Sequence, residues 1–172
     1  LVVCESFTGK AIGLQYDGQP VTPGFEKLIQ EGVYFSNIYA SGDRTDKGIV
    51  AVLSGYPAQP TTSIIKIPQK AAKLPNLVTR FKKDGYHTAF FYGGELEFAN
   101  MKAYLMGSGF DQYVSKDDFD TKDQNSKWGA HDHVVANRVV KDLSAAKQPF
   151  FYTWLTLSSH EPYEIPAAPA FP

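Results

Sequence analysis

The sequence is poor in cysteine: Cys4 is the one thiol among 172 residues. A single cysteine excludes an internal disulfide framework and a zinc site built of cysteines. It leaves the redox compartment open. Positive charge is not in excess either, since 17 Lys+Arg stand against 18 Asp+Glu for a formal charge of −1. No strongly basic field is available to hold nucleic-acid phosphates, so no nucleic-acid partner is expected. No apolar run reaches the roughly 18 residues of a membrane-spanning helix. No leader pattern opens the chain, and repeats and low-complexity tracts are missing. What remains is a globular composition, 43% hydrophobic and 20% charged. It suits one domain, or a large piece of one, with a sizeable core. The chain opens inside an apolar run, Leu1-Val2-Val3-Cys4, without an initiator Met, and closes on the Pro-rich stretch from Ile165 to Pro172. These ends predict an excised portion of a longer protein, with any targeting segment removed.

Along the chain, short apolar runs alternate with helical stripes. Leu1–Cys4 reads as a buried strand. Thr22-Pro23 suits a helix start, and Gly32 its end. Val33–Tyr39 reads as the next strand. A helix is predicted from Thr45 to about Ser54, with Ile49, Val50 and Leu53 on one face. Pro57–Pro68 reads as loop, Pro75–Lys83 as a helix closed by Gly85, and His87–Tyr92 as a strand. Phe98–Met106 is expected to be helical, Asp117–Lys127 a polar loop, His131 to about Ala146 a long helix, and Pro149–Leu157 an apolar strand. Strands separated by helices predict an α/β fold: a mostly parallel sheet sandwiched by helices. In such sheets ligands bind beyond the carboxyl ends of the strands. Glu5, Arg44, Thr45, the Gly93-Gly94-Glu95 stretch and His160 all fall just after predicted strands, and the fold would gather them on one edge.

Each of these residues has two readings. Glu5 can ligate a hard cation, since oxygen donors suit magnesium, manganese and calcium; otherwise it is a solvated carboxylate. Thr45, at a helix start, faces free backbone N–H groups and the positive end of the helix dipole. It can serve as a metal-activated nucleophile or as a plain N-cap. Arg44 can grip anionic oxygens by paired hydrogen bonds. His160 can donate to a phosphoryl oxygen or protonate a leaving group; otherwise it is an exposed loop histidine. His131-Asp132-His133 has poor spacing for a metal on a helix and is expected to hold one structural or substrate-facing group. Cys4 is expected to pack in the sheet as a small hydrophobe. The run Phe150-Phe151-Tyr152-Trp154 is expected in the core.

Several segments together resemble the sulfatase-like branch of the alkaline phosphatase superfamily, and within it the lipoteichoic acid synthase and phosphoglycerol transferase group. They are Val2-Val3-Cys4-Glu5-Ser6-Phe7, Thr22-Pro23 with Leu28 and Gly32, Gly42-Asp43-Arg44-Thr45, and Leu53-Ser54-Gly55-Tyr56-Pro57. Further along come Phe91-Tyr92-Gly93-Gly94-Glu95 with Phe98, Asn100 and Met101, then Gly109-Phe110-Asp111, Trp128-Gly129 with Asp132, and Pro149-Phe150-Phe151 leading to Leu155-Thr156-Leu157-Ser158-Ser159-His160. On this resemblance residues 1–172 are the N-terminal portion of a sulfatase-like catalytic domain. It implies a metal-dependent transferase. Glu5 and Thr45 would hold a divalent cation, manganese or magnesium, and Thr45 would form a covalent glycerophospho-threonine. His160 would act at the phosphoryl group or the leaving group. Arg44, Glu95 and Asn100 are the expected substrate-binding residues. The implied partners are a phospholipid headgroup of the phosphatidylglycerol type and a glycan or lipid acceptor. The implied location is extracytoplasmic, with membrane anchoring through segments outside this chain.

Two departures stand out. A Trp-Asn-Arg stretch is usual in the lipoteichoic acid branch after the phenylalanine matched by Phe98, but here the stretch is Ala99-Asn100-Met101. Arg44 is expected to supply the lost positive charge, and the pattern is closer to phosphoglycerol transferases of Gram-negative type. The family also completes its metal site with a downstream Asp-His pair, which lies beyond this chain. The fragment is therefore expected to bind metal weakly or not at all and to be inactive alone. A phosphodiesterase or sulfatase-like hydrolase, or a non-catalytic binding domain on the same fold, are the alternatives. The Cys/Ser-x-Pro-x-Arg motif of formylglycine sulfatases is not found.

Overall fold

The computed structural model describes residues 1–166 and 168. Its centre is a four-stranded, all-parallel sheet. In chain order the strands are β1 (Val2–Val3), the small hairpin pair β2 (Gln15–Tyr16) and β3 (Gln19–Pro20), β4 (His87–Tyr92), β5 (Gln112–Val114) and β6 (Phe150–Leu155). The helices are α1 (Pro23–Glu31), α2 (Thr45–Ser54), α3 (Pro68–Ala71), α4 (Leu77–Lys83), α5 (Met101–Ser108) and α6 (Asp132–Ser144). The sheet order is β1-β6-β4-β5, with Val2 opposite Trp154 and Phe91 opposite both Trp154 and Val114.

The mostly parallel sheet between helices is the α/β architecture expected from the alternation of strands and helices. A central parallel strand is covered on both faces, so its sequence should be apolar throughout. β4 obeys from Ala89 to Tyr92, and His-Thr-Ala-Phe-Phe-Tyr buries five of its six side chains, the polar Thr88 among them with its hydroxyl bonded to Asp111. Phe90 and Tyr92 face a core made with Ile49, Val50 and Leu53 of α2, Val78 of α4 and Leu105 of α5. Ala89 and Phe91 face the other side, where Val135 of α6 packs. The alternation along one strand thus holds two helical layers apart. Helix α2 begins and ends where its apolar spacing predicts, and Gly55 closes it in the left-handed region at φ 64°.

The structure corrects two expectations at the free edge of the sheet. Val33–Tyr39, expected to be a strand, pairs with nothing among the described residues, and Val33 and Tyr39 are more than four-fifths exposed. A strand needs a partner for its backbone groups, and β-branched residues alone do not provide one. Cys4, expected to pack in the sheet, is exposed, because β1 lies at the sheet edge and has a neighbour on one side only. Other differences are shifts of boundary. Helix α4 starts at Leu77, after Asn76, whose side chain accepts the Val78 N–H. The chain kinks at Ala99 and Asn100, both at positive φ, before α5 begins at Met101. Among the described residues no helix is long and apolar enough to cross a membrane.

Candidate active site

Strand β1 delivers Glu5 to the carboxyl edge of the sheet. The Glu5 N–H donates to Thr156 Oγ1 at 2.9 Å, which ties its exit to the neighbouring β6. Helix α2 delivers Thr45 to the same edge. Its N-cap is Arg44, in extended backbone, and no side chain caps this end of the helix among the described residues. Thr45 therefore sits at the first helical position, and its hydroxyl is turned away from capping. It donates to Glu5 Oε2 at 2.7 Å across 40 residues of chain. The other carboxylate oxygen, Glu5 Oε1, accepts from Ser6 Oγ at 3.1 Å. A hydroxyl, a carboxylate and the exposed N–H groups of a helix start thus meet at one point, where the helix dipole favours negative charge.

This point lies in an open cleft of about 690 Å³ lined by Glu5, Ser6, Asp43, Arg44, Thr45, Asp46, Lys66, Phe98, Ala99 and His160. The cleft brings together Glu5, Arg44, Thr45 and His160. It does not take in Glu95 or Asn100. Glu95 pairs with Lys116 at 2.8 Å, and Asn100 adopts left-handed backbone at the entry to α5. Asp43 pairs with Lys47 at 3.1 Å, and that hydrogen bond holds its carboxyl below the usual range.

His160 is held by a small aromatic frame. Its Nδ1 lies 2.9 Å from the Glu161 carbonyl. A carbonyl only accepts, so Nδ1 carries the proton and Nε2 is the nitrogen left for exchange. The same carbonyl accepts from Trp128 Nε1 at 2.7 Å. The Trp128 ring meets His160 edge-on at 4.9 Å and Phe98 at 6.1 Å.

Asp132 sets the turn that carries His160, a role that its place in a helix start did not suggest. Its Oδ1 accepts the Leu157 N–H at 2.7 Å and its Oδ2 the Ser158 N–H at 2.9 Å. Its own N–H donates to Ser158 Oγ at 2.8 Å. Of the His131-Asp132-His133 trio, Asp132 is therefore the structural member, while His131 is buried and stacks on His133 at 6.1 Å. The loop of Ala130 also crosses the Gly93 turn closely. A Cβ on Gly93 would run into the Ala130 carbonyl, and the Ala130 N–H donates to Gly93 O at 2.9 Å. Tyr92, at the end of β4, has its phenol pushed up to about 12, first by burial and then by the charges of Glu5 and Asp132. The Cys4 thiol is likewise raised, first by its partial burial and then by the charge of Asp132.

The residue types at this point fit the opening half of a hard-cation site. Two oxygen ligands of one small cation lie about 3 Å apart, close to the separation of Glu5 Oε2 and Thr45 Oγ1. Among the described residues no group of three or more His, Cys, Asp or Glu is gathered to hold a metal.

A model of the family described as Sulfatase matches residues 1–171. The chain belongs to the Sulfatase family. It is 28% identical over 169 residues to lipoteichoic acid synthase 2 of Bacillus subtilis, covering 94% of this chain and 26% of that protein. It is 28% identical over 173 residues to phosphoglycerol transferase I of Xanthomonas euvesicatoria, covering 90% of this chain and 24% of that one. Among solved structures it superposes on a protein of the alkaline phosphatase superfamily from Vibrio parahaemolyticus with a TM-score of 0.83 at 36% identity. That match covers 96% of this chain and 41% of the other. The chain thus spans about a quarter of the length of the curated relatives it matches. The sheet and helices are those of an alkaline phosphatase-like fold, and the lipoteichoic acid synthase and phosphoglycerol transferase resemblance holds over nearly the whole chain.

Proposed function

We propose that this chain carries the nucleophile half of a phosphoglycerol transferase site, with Thr45 as the nucleophile and Glu5 as its partner. The observation that supports this reading is the 2.7 Å hydrogen bond from Thr45 to Glu5 at an uncapped helix start inside an open cleft. Glu5 Oε2 and Thr45 Oγ1 are the atoms that would hold a divalent cation, manganese or magnesium, which when bound would lower the hydroxyl's pKa. Thr45 Oγ1 then passes its proton to His160 Nε2, the free ring nitrogen, and forms a bond to phosphorus in a diester such as a phosphatidylglycerol headgroup. The bond from phosphorus to the diacylglycerol oxygen breaks, and His160 Nε2 gives that oxygen its proton. An acceptor hydroxyl next attacks phosphorus, its proton passes to His160 Nε2, and the Thr45 oxygen is released and takes that proton back. The N–H groups of α2 and the Arg44 guanidinium stabilise charge on the equatorial oxygens. The acceptor is a glycan or lipid outside the cytoplasm, and further cation ligands come from polypeptide beyond this chain. The fragment alone is expected to be inactive.

The test uses the full-length protein with phosphatidylglycerol labelled in its headgroup and manganese. Mass spectrometry is expected to find a glycerophosphoryl adduct on Thr45. Thr45→Ala should lower turnover by at least ~1,000-fold, as loss of a covalent nucleophile does. A Thr45→Ala protein that keeps its turnover would end this reading. The openness of the cleft supports a second one, in which water replaces the acceptor and the enzyme is a phosphodiesterase. Release of glycerol phosphate at full rate with no acceptor present would favour it.

A further inference from the structure

We propose that Lys66 is a substrate-binding residue of this cleft, and that its ammonium grips the anionic oxygens of a polyol phosphate ester bound over Thr45. The inference rests on the reading of the cleft above and adds a residue to it. Lys66 lies within a stretch that reads as plain loop, Pro57–Pro68, yet the structure makes it a fixed feature. It ends a single 3-10 turn, Ile64–Lys66, whose middle residue Ile65 is fully buried. The turn is fastened to the nucleophile's own helix: Ser63, itself buried, donates its Oγ–H to the Asp46 carbonyl at 2.9 Å. Asp46 is the residue after Thr45. The Lys66 and Ile67 N–H groups close the turn at 3.1 and 2.9 Å. The backbone that carries Lys66 is therefore anchored to the first turn of α2, and Lys66 lines the cleft with Arg44 and Thr45.

Charge points the same way. Several lysines pair with no carboxylate among the described residues, and of these Lys66 is the one that lines the cleft. Among the described residues no carboxylate pairs with Lys66 or Arg44. Phe98 and Ala99 add no cation to the lining, and Met101 is fully buried. Glu5, Asp43 and Asp46 put negative charge into the same cleft, which would repel an anionic ester unless cations offset it. Two unpaired cations flanking an uncapped helix start give a phosphoryl group a place to bind. Lysine acts there as a mobile point charge, whereas arginine grips as a planar fork. The division of labour follows: Arg44 orients, and Lys66 adds affinity that is largely uniform through the reaction.

The experiment titrates the full-length protein with sn-glycerol 1-phosphate in manganese by calorimetry, at two salt concentrations, alongside steady-state kinetics on phosphatidylglycerol. Lys66→Gln should weaken glycerol phosphate about tenfold, as loss of a charge-assisted contact does. It should raise KM with kcat little changed and flatten the salt dependence. Lys66→Arg should restore most of the affinity. Lys66 is exposed, so the thermal midpoint of these variants should match the parent. Unchanged affinity and KM in Lys66→Gln, or a parent protein that does not bind the ester, would overturn the proposal. The two ideas separate cleanly. If Thr45→Ala abolishes turnover while Lys66→Gln changes nothing, the lysine inference alone is wrong. If Lys66→Gln weakens binding but Thr45→Ala still turns over, the nucleophile assignment is wrong and the lysine stands.

Discussion

From Phe7 to Tyr39 no side chain is buried, whereas β4 buries five of its six. Both regions are rich in aromatic and β-branched residues, so composition does not separate them. Pairing does. Strand β4 has β6 on one side and β5 on the other, and helices cover both of its faces. The earlier region holds an isolated two-stranded hairpin and the amphipathic helix α1, which buries nothing. The stretch after it leaves Val33, Phe35, Ile38 and Tyr39 exposed. The aromatic stack of this earlier region, Phe7 on Phe25 at 4.7 Å, is only half-buried. The residues of the candidate site belong to the packed region or are tied to it: Thr45 by α2, Glu5 by Thr156, and His160 by Asp132.

The sharpest way to break this contrast is to make the same change in both regions. Phe90→Ala removes a fully buried ring and should cost about 3–5 kcal/mol in a denaturant titration. Phe35→Ala removes a ring that is 68% exposed and should stay within about 0.5 kcal/mol. Equal losses would mean that the earlier region packs as firmly as the sheet.

A smaller effect is expected where the packed region holds the site. Asp132→Ala strips two backbone N–H groups of their acceptor. Leaving them unpaired should cost about 1–3 kcal/mol and let the His160 turn drift. Turnover should fall with it, and Asp132→Asn, which keeps one acceptor oxygen, should lose less of both. A stability loss without a change in turnover would detach His160 from the reaction.

Much of this arrangement is legible in residue order, because it rests on local rules. Helix α2 runs from Thr45 to Ser54 as its apolar spacing and Gly55 demand, and β4 closes on the apolar run Ala89–Tyr92. The gathering of Glu5 and His160 follows from one topological rule about strand ends, whereas Arg44 and Thr45 reach that edge as the start of α2, since the strand expected before them, Val33–Tyr39, does not form. What escapes is set by long-range partners. Val33–Tyr39 has strand residues but no neighbour. The three-residue β5 is too short to show a period, and it exists because Phe90 and Phe91 of β4 lie beside it. The hairpin of β2 and β3 did carry a local signal, Asp17-Gly18, a pair suited to the positive φ of both turn residues. Lys66 has no motif that announces it, and the motif that holds Asp132, with Trp128-Gly129, does not tell its role. Asp132 acquires its role from a turn 25 residues away, and Lys66 from the buried Ser63 that pins its turn to α2.

The smallest effect tests charge, not packing. Asp111 joins the packed region at β4: its Oδ2 accepts from the Thr88 N–H at 2.8 Å and from Thr88 Oγ1 at 2.9 Å, and Lys82 pairs with it at 2.7 Å. Burial opposes its ionisation, but the lysine and the two Thr88 donors outweigh burial and hold the carboxyl at about 2. A carboxyl depressed in the folded state stabilises the fold above its ordinary value, near 3.8. That contribution fades as pH falls from there through about 2, where the folded-state group takes up its proton. The exposed region has its own ion pair, Lys27 with Glu31 at 3.9 Å, but both side chains are mostly in solvent, and such pairs contribute little. Asp111→Asn should therefore cost about 1 kcal/mol at neutral pH and make the denaturation midpoint less steep in pH between 4 and 2. Glu31→Gln should leave the same curve unmoved. If Glu31→Gln flattens the acid limb as much as Asp111→Asn does, electrostatic support is shared by the two regions, and the contrast between them is one of packing only.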